Sequence, residues 1–215
     1  MIIKKFLHSC ILLEDNGGRL LIDPGAWSFI ENKITPKDIG PVDAILLTHN
    51  HNDHCSIEAV KGIIGMKLAT IIADEQTCTM LKEAGIAAEP IKAGETRTVA
   101  GFTIQAIEAQ HEPIPSQIPH NLGFLINNAL YHPGDSLVPV INHCGLLFLP
   151  IAGPPVRLSD ALAFAKKLKP KKVIPIHDVI LKDFALDRIY TIVQTKLKEA
   201  GIEFYPLKLG EKLEV

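Results

Sequence analysis

Between residues 48 and 54 the chain reads Thr-His-Asn-His-Asn-Asp-His. Imidazole nitrogen and carboxylate oxygen are the donors that zinc prefers, and they also suit manganese and iron. His49, His51, Asp53 and His54 thus place four ligand-capable side chains within six positions. The chain has nine histidines in 215 residues, and a solvated loop has no reason to gather three of them so closely. The segment follows the run DAILLT (43–48), whose apolar character predicts a strand buried on both faces. A loop leaving a strand there can aim His49 and His51 at one centre and Asp53 and His54 at another.

Further donors stand at other expected strand ends. His111 follows FTIQAIEAQ (102–110), Asp135 follows ALYHPG (129–134), and His177 ends KVIPI (172–176). Each would be weak alone. Together they offer one more ligand to each of two ions and a carboxylate able to bridge them. Two ions roughly 3.5–4 Å apart can bring the pKa of a bound water to around 7 and polarise the oxygen under attack. The chemistry in view is metal-assisted hydrolysis.

The order H-x-H-x-D-H, lone His, Asp in a Gly-Asp turn, final His resembles the metallo-β-lactamase superfamily of metal-dependent hydrolases. The resemblance runs along essentially the whole chain. It implies that His49, His51 and His111 hold a first ion, that Asp53, His54 and His177 hold a second, and that Asp135 bridges them. It implies two divalent ions, zinc first, with manganese or iron as alternatives. Asp53 would orient the hydroxide and pass a proton to the leaving group. Asp23 in LIDPG matches an aspartate that the superfamily keeps beside its site, the alternative being a turn-former before Pro24. His51 stands where the di-iron, oxygen- or nitric-oxide-reducing branch usually carries Glu, which weighs against an oxidoreductase.

The segment FLHSCILLE (6–14) resembles the branch that holds ascorbate-6-phosphate lactonase and N-acyl-phosphatidylethanolamine phospholipase D, which implies that His8 approaches the site. His120, on the proline-rich stretch between His111 and Asp135, is a second candidate to touch substrate or protonate a leaving group, with a solvated loop residue as the alternative. The expected function is hydrolysis of a small ester, lactone or phosphodiester. A nuclease or β-lactam hydrolase of the same fold and a non-catalytic metal-binding module are the alternatives. Two divalent ions against Asp53, Asp135 and one hydroxide leave a surplus of about one positive charge, which favours an anionic substrate.

The positioning elements follow from pattern. Short apolar strands are expected at 2–6, 10–14, 19–23, 43–48, 69–73, 96–99, 102–108, 121–127, 129–132, 146–150 and 173–177, with others near the end. Helices are expected at 57–65 with Ser56 as cap, at 75–84, from Ser159 to about 169, and over 184–200. Residues 81–99, LKEAGIAAEPIKAGETRTV, echo residues 197–215, LKEAGIEFYPLKLGEKLEV. Two shorter echoes join them, LLIDPG (20–25) with ALYHPG (129–134) and ILLTH (45–49) with VIPIH (173–177). The resemblance implies the α+β class and a four-layer αββα sandwich, and the echoes fit it with a two-fold internal repeat, in one domain over residues 1–215.

Composition closes several doors. Lysine plus arginine number 22 against 24 acidic residues, a net charge of −2, which is no footprint for nucleic acid. No apolar run reaches the ~18–20 residues of a membrane helix, and the first residues carry no export-signal pattern. The four cysteines, without a C-x-x-C pair, read as reduced thiols, and a cytoplasmic location is expected.

Overall fold

Three neighbouring residues, Ala44, Ile45 and Leu46, are fully buried yet belong to two different apolar clusters. Side chains alternate along a strand, so such a segment must be covered on both faces. The computed structural model, which describes residues 1–138, 140–154 and 156–215, shows how. The first half runs β1 (Ile2–Lys5), β2 (Ile11–Asp15), β3 (Gly18–Ile22), a 3-10 stretch (Ala26–Asn32), α1 (Pro36–Ile39), β4 (Ala44–Leu46), α2 (Ile57–Ile64), β5 (Thr70–Ala73), α3 (Glu75–Glu83), β6 (Glu89–Pro90) and β7 (Thr96–Val99). The second runs β8 (Phe102–Glu108), β9 (Leu122–Ile126), β10 (Leu130–His132), β11 (Leu146–Pro150), α4 (Leu158–Leu168), β12 (Lys172–Ile176), α5 (Asp183–Lys198), β13 (Glu203–Phe204) and β14 (Lys212–Glu214).

Two seven-stranded sheets result, in the orders β14-β1-β2-β3-β4-β5-β6 and β7-β8-β9-β10-β11-β12-β13. Adding seven to each strand number of one half gives its counterpart in the other. Pairing polarity obeys the same rule: antiparallel through β3 and β10, parallel beyond them. Each half ends with a helix, a short parallel edge strand and a strand that crosses to the other sheet, where β7 pairs with β8 and β14 with β1. This crossing unit is the 81–99 and 197–215 echo. LLIDPG and ALYHPG also fall on equivalent strands, β3 and β10. The ILLTH and VIPIH echo does not, because β4 corresponds to β11 and not to β12. Both segments are apolar throughout because both strands are covered on two faces, and that shared burial produced the likeness.

Burial completes the four layers. Leu13, Leu20, Ile22 and Leu46 of one sheet meet Phe102, Phe124, Phe148 and Ile174 of the other in the central core. Leu21, Ile45 and Leu47 face outward onto Val60 and Ile63 of α2 and Leu81 of α3. Leu147, Leu149 and Val173 face Phe164 of α4 and Val193 and Leu197 of α5.

Local chemistry sets the element ends. Asn16 and Gly17 turn the β2–β3 hairpin with φ of 47° and 84°, the positive range a tight turn requires. Ser56 caps α2 by accepting from Ala59 N, and the side chain of Asp74 caps α3 by accepting from Gln76 N and Thr77 N. Ser159 is not the cap expected of it: α4 begins at Leu158, whose side chain packs on the outer cluster, and the Ser159 hydroxyl turns to Asp160. Lys166 and Lys167 sit in the last turn of α4, where positive charge complements the helix dipole.

Candidate metal centre

The loop after β4, the residues after β8 and β10 and the end of β12 converge, as expected at the carboxyl ends of strands in open sheets. His49, His51 and His111 bring ligand atoms within 4.8 Å of one another. His8, Asp53, His54 and His177 do the same, and so do His49, His54 and Asp135. Asp135 touches both sides, with Oδ1 3.0 Å from His54 Nε2 and Oδ2 3.1 Å from His177 Nε2 and 3.5 Å from His111 Nε2. Asp53 Oδ2 lies 3.2 Å from His8 Nε2 and 3.4 Å from His177 Nε2.

The outer nitrogens of three rings are engaged. His54 Nδ1 lies 2.7 Å from Asp23 Oδ2, His111 Nδ1 2.6 Å from Glu112 O and His177 Nδ1 2.7 Å from Ala152 O. With Nδ1–H donating to these oxygens, each Nε2 presents a lone pair inward. All three Nε2 atoms are buried and face Asp135 at 3.0–3.5 Å, yet none forms a well-aligned hydrogen bond, and neither does Asp135 Oδ1. Buried polar atoms are rarely left so, and an oriented imidazole with a free inward nitrogen is the form that ligates metal. The donor set fits a divalent cation.

Asp23 is wholly buried; Thr48 N and Oγ1 donate to its carboxylate at 2.8 and 2.7 Å. It therefore orients His54 besides preceding Pro24. Three residues of this region, His8, Asp23 and His177, hold φ between 48° and 62°, a costly region for side-chained residues that persists where surroundings overdetermine it. Gly134 explains the sharpness of the Asp135 turn, since a Cβ there would lie 2.0 Å from Asn121 Oδ1.

Electrostatics follow from burial and pairing. Burial pushes His8 down to about 4 and takes His49 well below the ordinary histidine range. Burial also presses on His54 and His177, but Asp135 and its neighbours outweigh it, holding His54 well above that range and His177 near 9. Asp135 is buried and Asp53 half-buried, yet the imidazoles around them keep both carboxyls far below the usual carboxylate range. The same carboxylates that favour protons on these rings favour a cation in their place.

His120 is set apart from this assembly. Its ring nitrogens lie 3.1 Å from Asp74 Oδ2 and 3.3 Å from Glu108, and the side chain is 44% exposed. None of its hydrogen bonds reaches the cluster. Sequence reasoning also passed over Asn121, which donates to Ala109 O and Pro133 O and so ties the His111 strand end to the Asp135 turn. Trp27 was missed as well, although it is the one tryptophan of the chain. It borders a cleft of about 280 Å³ that His51, Asp53, His111, Asp135 and His177 also line.

The profile of the β-lactamase superfamily domain matches residues 2–177. The chain belongs to the β-lactamase superfamily. It is 31% identical to protein Rv0786c of Mycobacterium tuberculosis, over 84% of this chain and 85% of that one. It is 29% identical to a UPF0173 metal-dependent hydrolase of Carboxydothermus hydrogenoformans, over 79% and 81% of the two chains. In fold it is similar to Igni18, a metallo hydrolase from Ignicoccus hospitalis, with a TM-score of 0.79 at 22% identity over 99% and 97% of the chains. Superfamily membership and the donor set together make the chain a metal-dependent hydrolase of the metallo-β-lactamase fold. Among the described residues no helix is long and apolar enough to cross a membrane.

Proposed function

We propose that this hydrolase works with two divalent ions, zinc first and manganese or iron as alternatives, on a small ester, lactone or phosphodiester. The observation that carries the reading is the convergence of the buried Nε2 atoms of His54, His111 and His177 on Asp135 without a well-aligned hydrogen bond. On this reading His49, His51 and His111 hold one ion, Asp53, His54 and His177 the other, and Asp135 stands between them. Ions so placed, when bound, bring a water's pKa toward about 7 and polarise the oxygen under attack.

The remaining work belongs to the protein. Asp53 orients the attacking water, accepts its proton and delivers that proton to the leaving group. His8 steadies Asp53 through the 3.2 Å contact to Oδ2. Asp23 fixes the ring of His54. His120, bound to Asp74 and Glu108, has no part in this scheme.

The cleft favours an enzyme over a non-catalytic metal module, since a structural metal site is closed by protein whereas a catalytic one keeps an open side. It favours a small molecule over nucleic acid, because neither lysine nor arginine is among its lining residues. Four buried, free cysteines accord with a reducing compartment, and we read the location as cytoplasmic and residues 1–215 as one domain. The test is turnover of ester, lactone, phosphodiester and β-lactam panels by the metal-loaded protein beside its Asp53→Ala variant. Turnover of one class that disappears in the variant supports the reading. Turnover of none, or turnover unaffected by the variant, overturns it.

A further inference from the structure

The walls of the cleft are unlike its floor. The charged and ligating groups, His51, Asp53, His111, Asp135 and His177, gather at the metal cluster, and the other lining residues are Trp27, Ile114, Pro115, Ser116 and Pro154. Trp27 is held firmly beside the cluster. Ala26 N donates to Asn52 O at 2.7 Å, and a Cβ on Gly25 would lie 1.8 Å from Asp53 O, so the chain before Trp27 lies flush against the metal loop. The indole meets the His8 ring edge-on with centroids 4.9 Å apart and stands 6.3 Å from the His177 ring. Ile114 and Pro115 come from the proline-rich stretch after His111, which fixes φ and stiffens that wall.

We infer that Trp27, Ile114 and Pro115 form a specificity subsite for a short, uncharged, apolar substituent beside the scissile bond. This rests on the hydrolase reading of the same site. A volume of about 280 Å³ lies at the lower end of ligand-binding clefts, which limits the substituent to a short one. An anionic tail would find no lysine or arginine among the lining residues and would approach the carboxylates of Asp53 and Asp135. A surplus of positive charge at the ions acts on the reacting oxygen, whereas these walls act on the tail. Each methylene buried there strengthens binding by about fourfold.

The test uses hydroxamates, whose head group binds metal without turnover. Acetohydroxamate, hexanohydroxamate and adipic monohydroxamate are titrated calorimetrically into the zinc-loaded protein, its Trp27→Ala variant and its Ile114→Lys variant. The hexanoyl compound should bind at least about tenfold more tightly than the acetyl compound, as several buried methylenes require, and more tightly than the carboxylate-tailed compound, whose charge loses its hydration among apolar walls. Trp27→Ala should remove most of that preference, and Ile114→Lys should raise the affinity of the carboxylate-tailed compound alone. Equal or tighter binding of the carboxylate-tailed compound to the unaltered protein would overturn the inference, as would a preference unchanged by both variants. Because binding needs no catalysis, failure of the hydrolase reading would show separately, as hydroxamate selectivity without turnover of any panel substrate.

Discussion

Lys5 and Asp178, 173 residues apart, form a buried ion pair with Nζ 2.7 and 3.0 Å from the two carboxylate oxygens. Tyr190 of α5 donates to the same carboxylate at 2.6 Å. Lys5 ends β1 three residues before His8, and Asp178 directly follows His177. The pair therefore joins the two halves beside the point where the His8 and His177 rings lie 4.1 Å apart. Lys5→Met would leave Asp178 charged and buried without its cation, at a cost of about 3–5 kcal/mol. Urea unfolding should show that loss, with a smaller one of about 1 kcal/mol for Tyr190→Phe. A Lys5→Met, Asp178→Leu double variant should recover much of the stability, since it buries no lone charge. Equal instability of the single and double variants would contradict this view.

Asp53→Ala separates chemistry from binding. The variant should lose about 10²–10⁴-fold in kcat, the usual contribution of a positioned base. It should still take up an ion at His49, His51 and His111, none of which needs Asp53 as a support. Metal analysis and circular dichroism of the variant check this. Loss of all metal and of the fold would assign Asp53 a structural role instead.

Asp23→Ala removes the partner of His54 Nδ1 and leaves Thr48 without its acceptor. Loss of such an outer hydrogen bond lowers metal affinity by about 10–100-fold. Chelator competition with zinc should place that weakening on one ion only, the one assigned to His54. Unchanged affinity for both would show that the histidine is oriented by packing alone.

His120 should matter for stability and not for turnover. Burial acts to lower its pKa, but Glu108 and Asp74 raise it above the ordinary histidine value. A raised folded-state pKa gives stability that is full below about pH 6.5, the unfolded value, and lost as pH climbs through the folded one. The side chain is 44% exposed, so solvent screening holds the effect to about 0.2–1 kcal/mol. His120→Ala should therefore be destabilised relative to the parent at pH 5.5 and nearly equal to it at pH 9, with kcat preserved. A gap that is constant across pH, or a collapse of kcat, would contradict this placement.

The donors of the candidate centre were legible because ligand chemistry restricts residue type and strand ends restrict position. His49 through His54, His111, Asp135 and His177 all carry that double signature. Apolar runs likewise marked most of the strands, the resemblance implied the two sheets, and the echo of residues 81–99 in 197–215 fitted their two-fold relation. Lys5 and Asp178 were not legible, because nothing in either segment says which distant carboxylate a buried lysine will meet. Trp27 was hidden for another reason: it lies on a 3-10 stretch without periodicity, and its place beside the cluster depends on the close approach of Gly25 to Asp53. His120 shares a loop with His111, and its ring lies against Asp74, which caps α3, and Glu108, contacts between distant segments that the sequence does not reveal.

Two ion sites that share only Asp135 demand a definite metal stoichiometry. The protein, stripped with chelator, reloaded with zinc and freed of excess, is analysed for zinc per chain, beside His49→Ala and His177→Ala variants. Two ions per chain are expected in the parent and one in each variant, since each substitution breaks only one of the two ligand sets. One ion or fewer in the fully supplemented parent would contradict the two-ion reading.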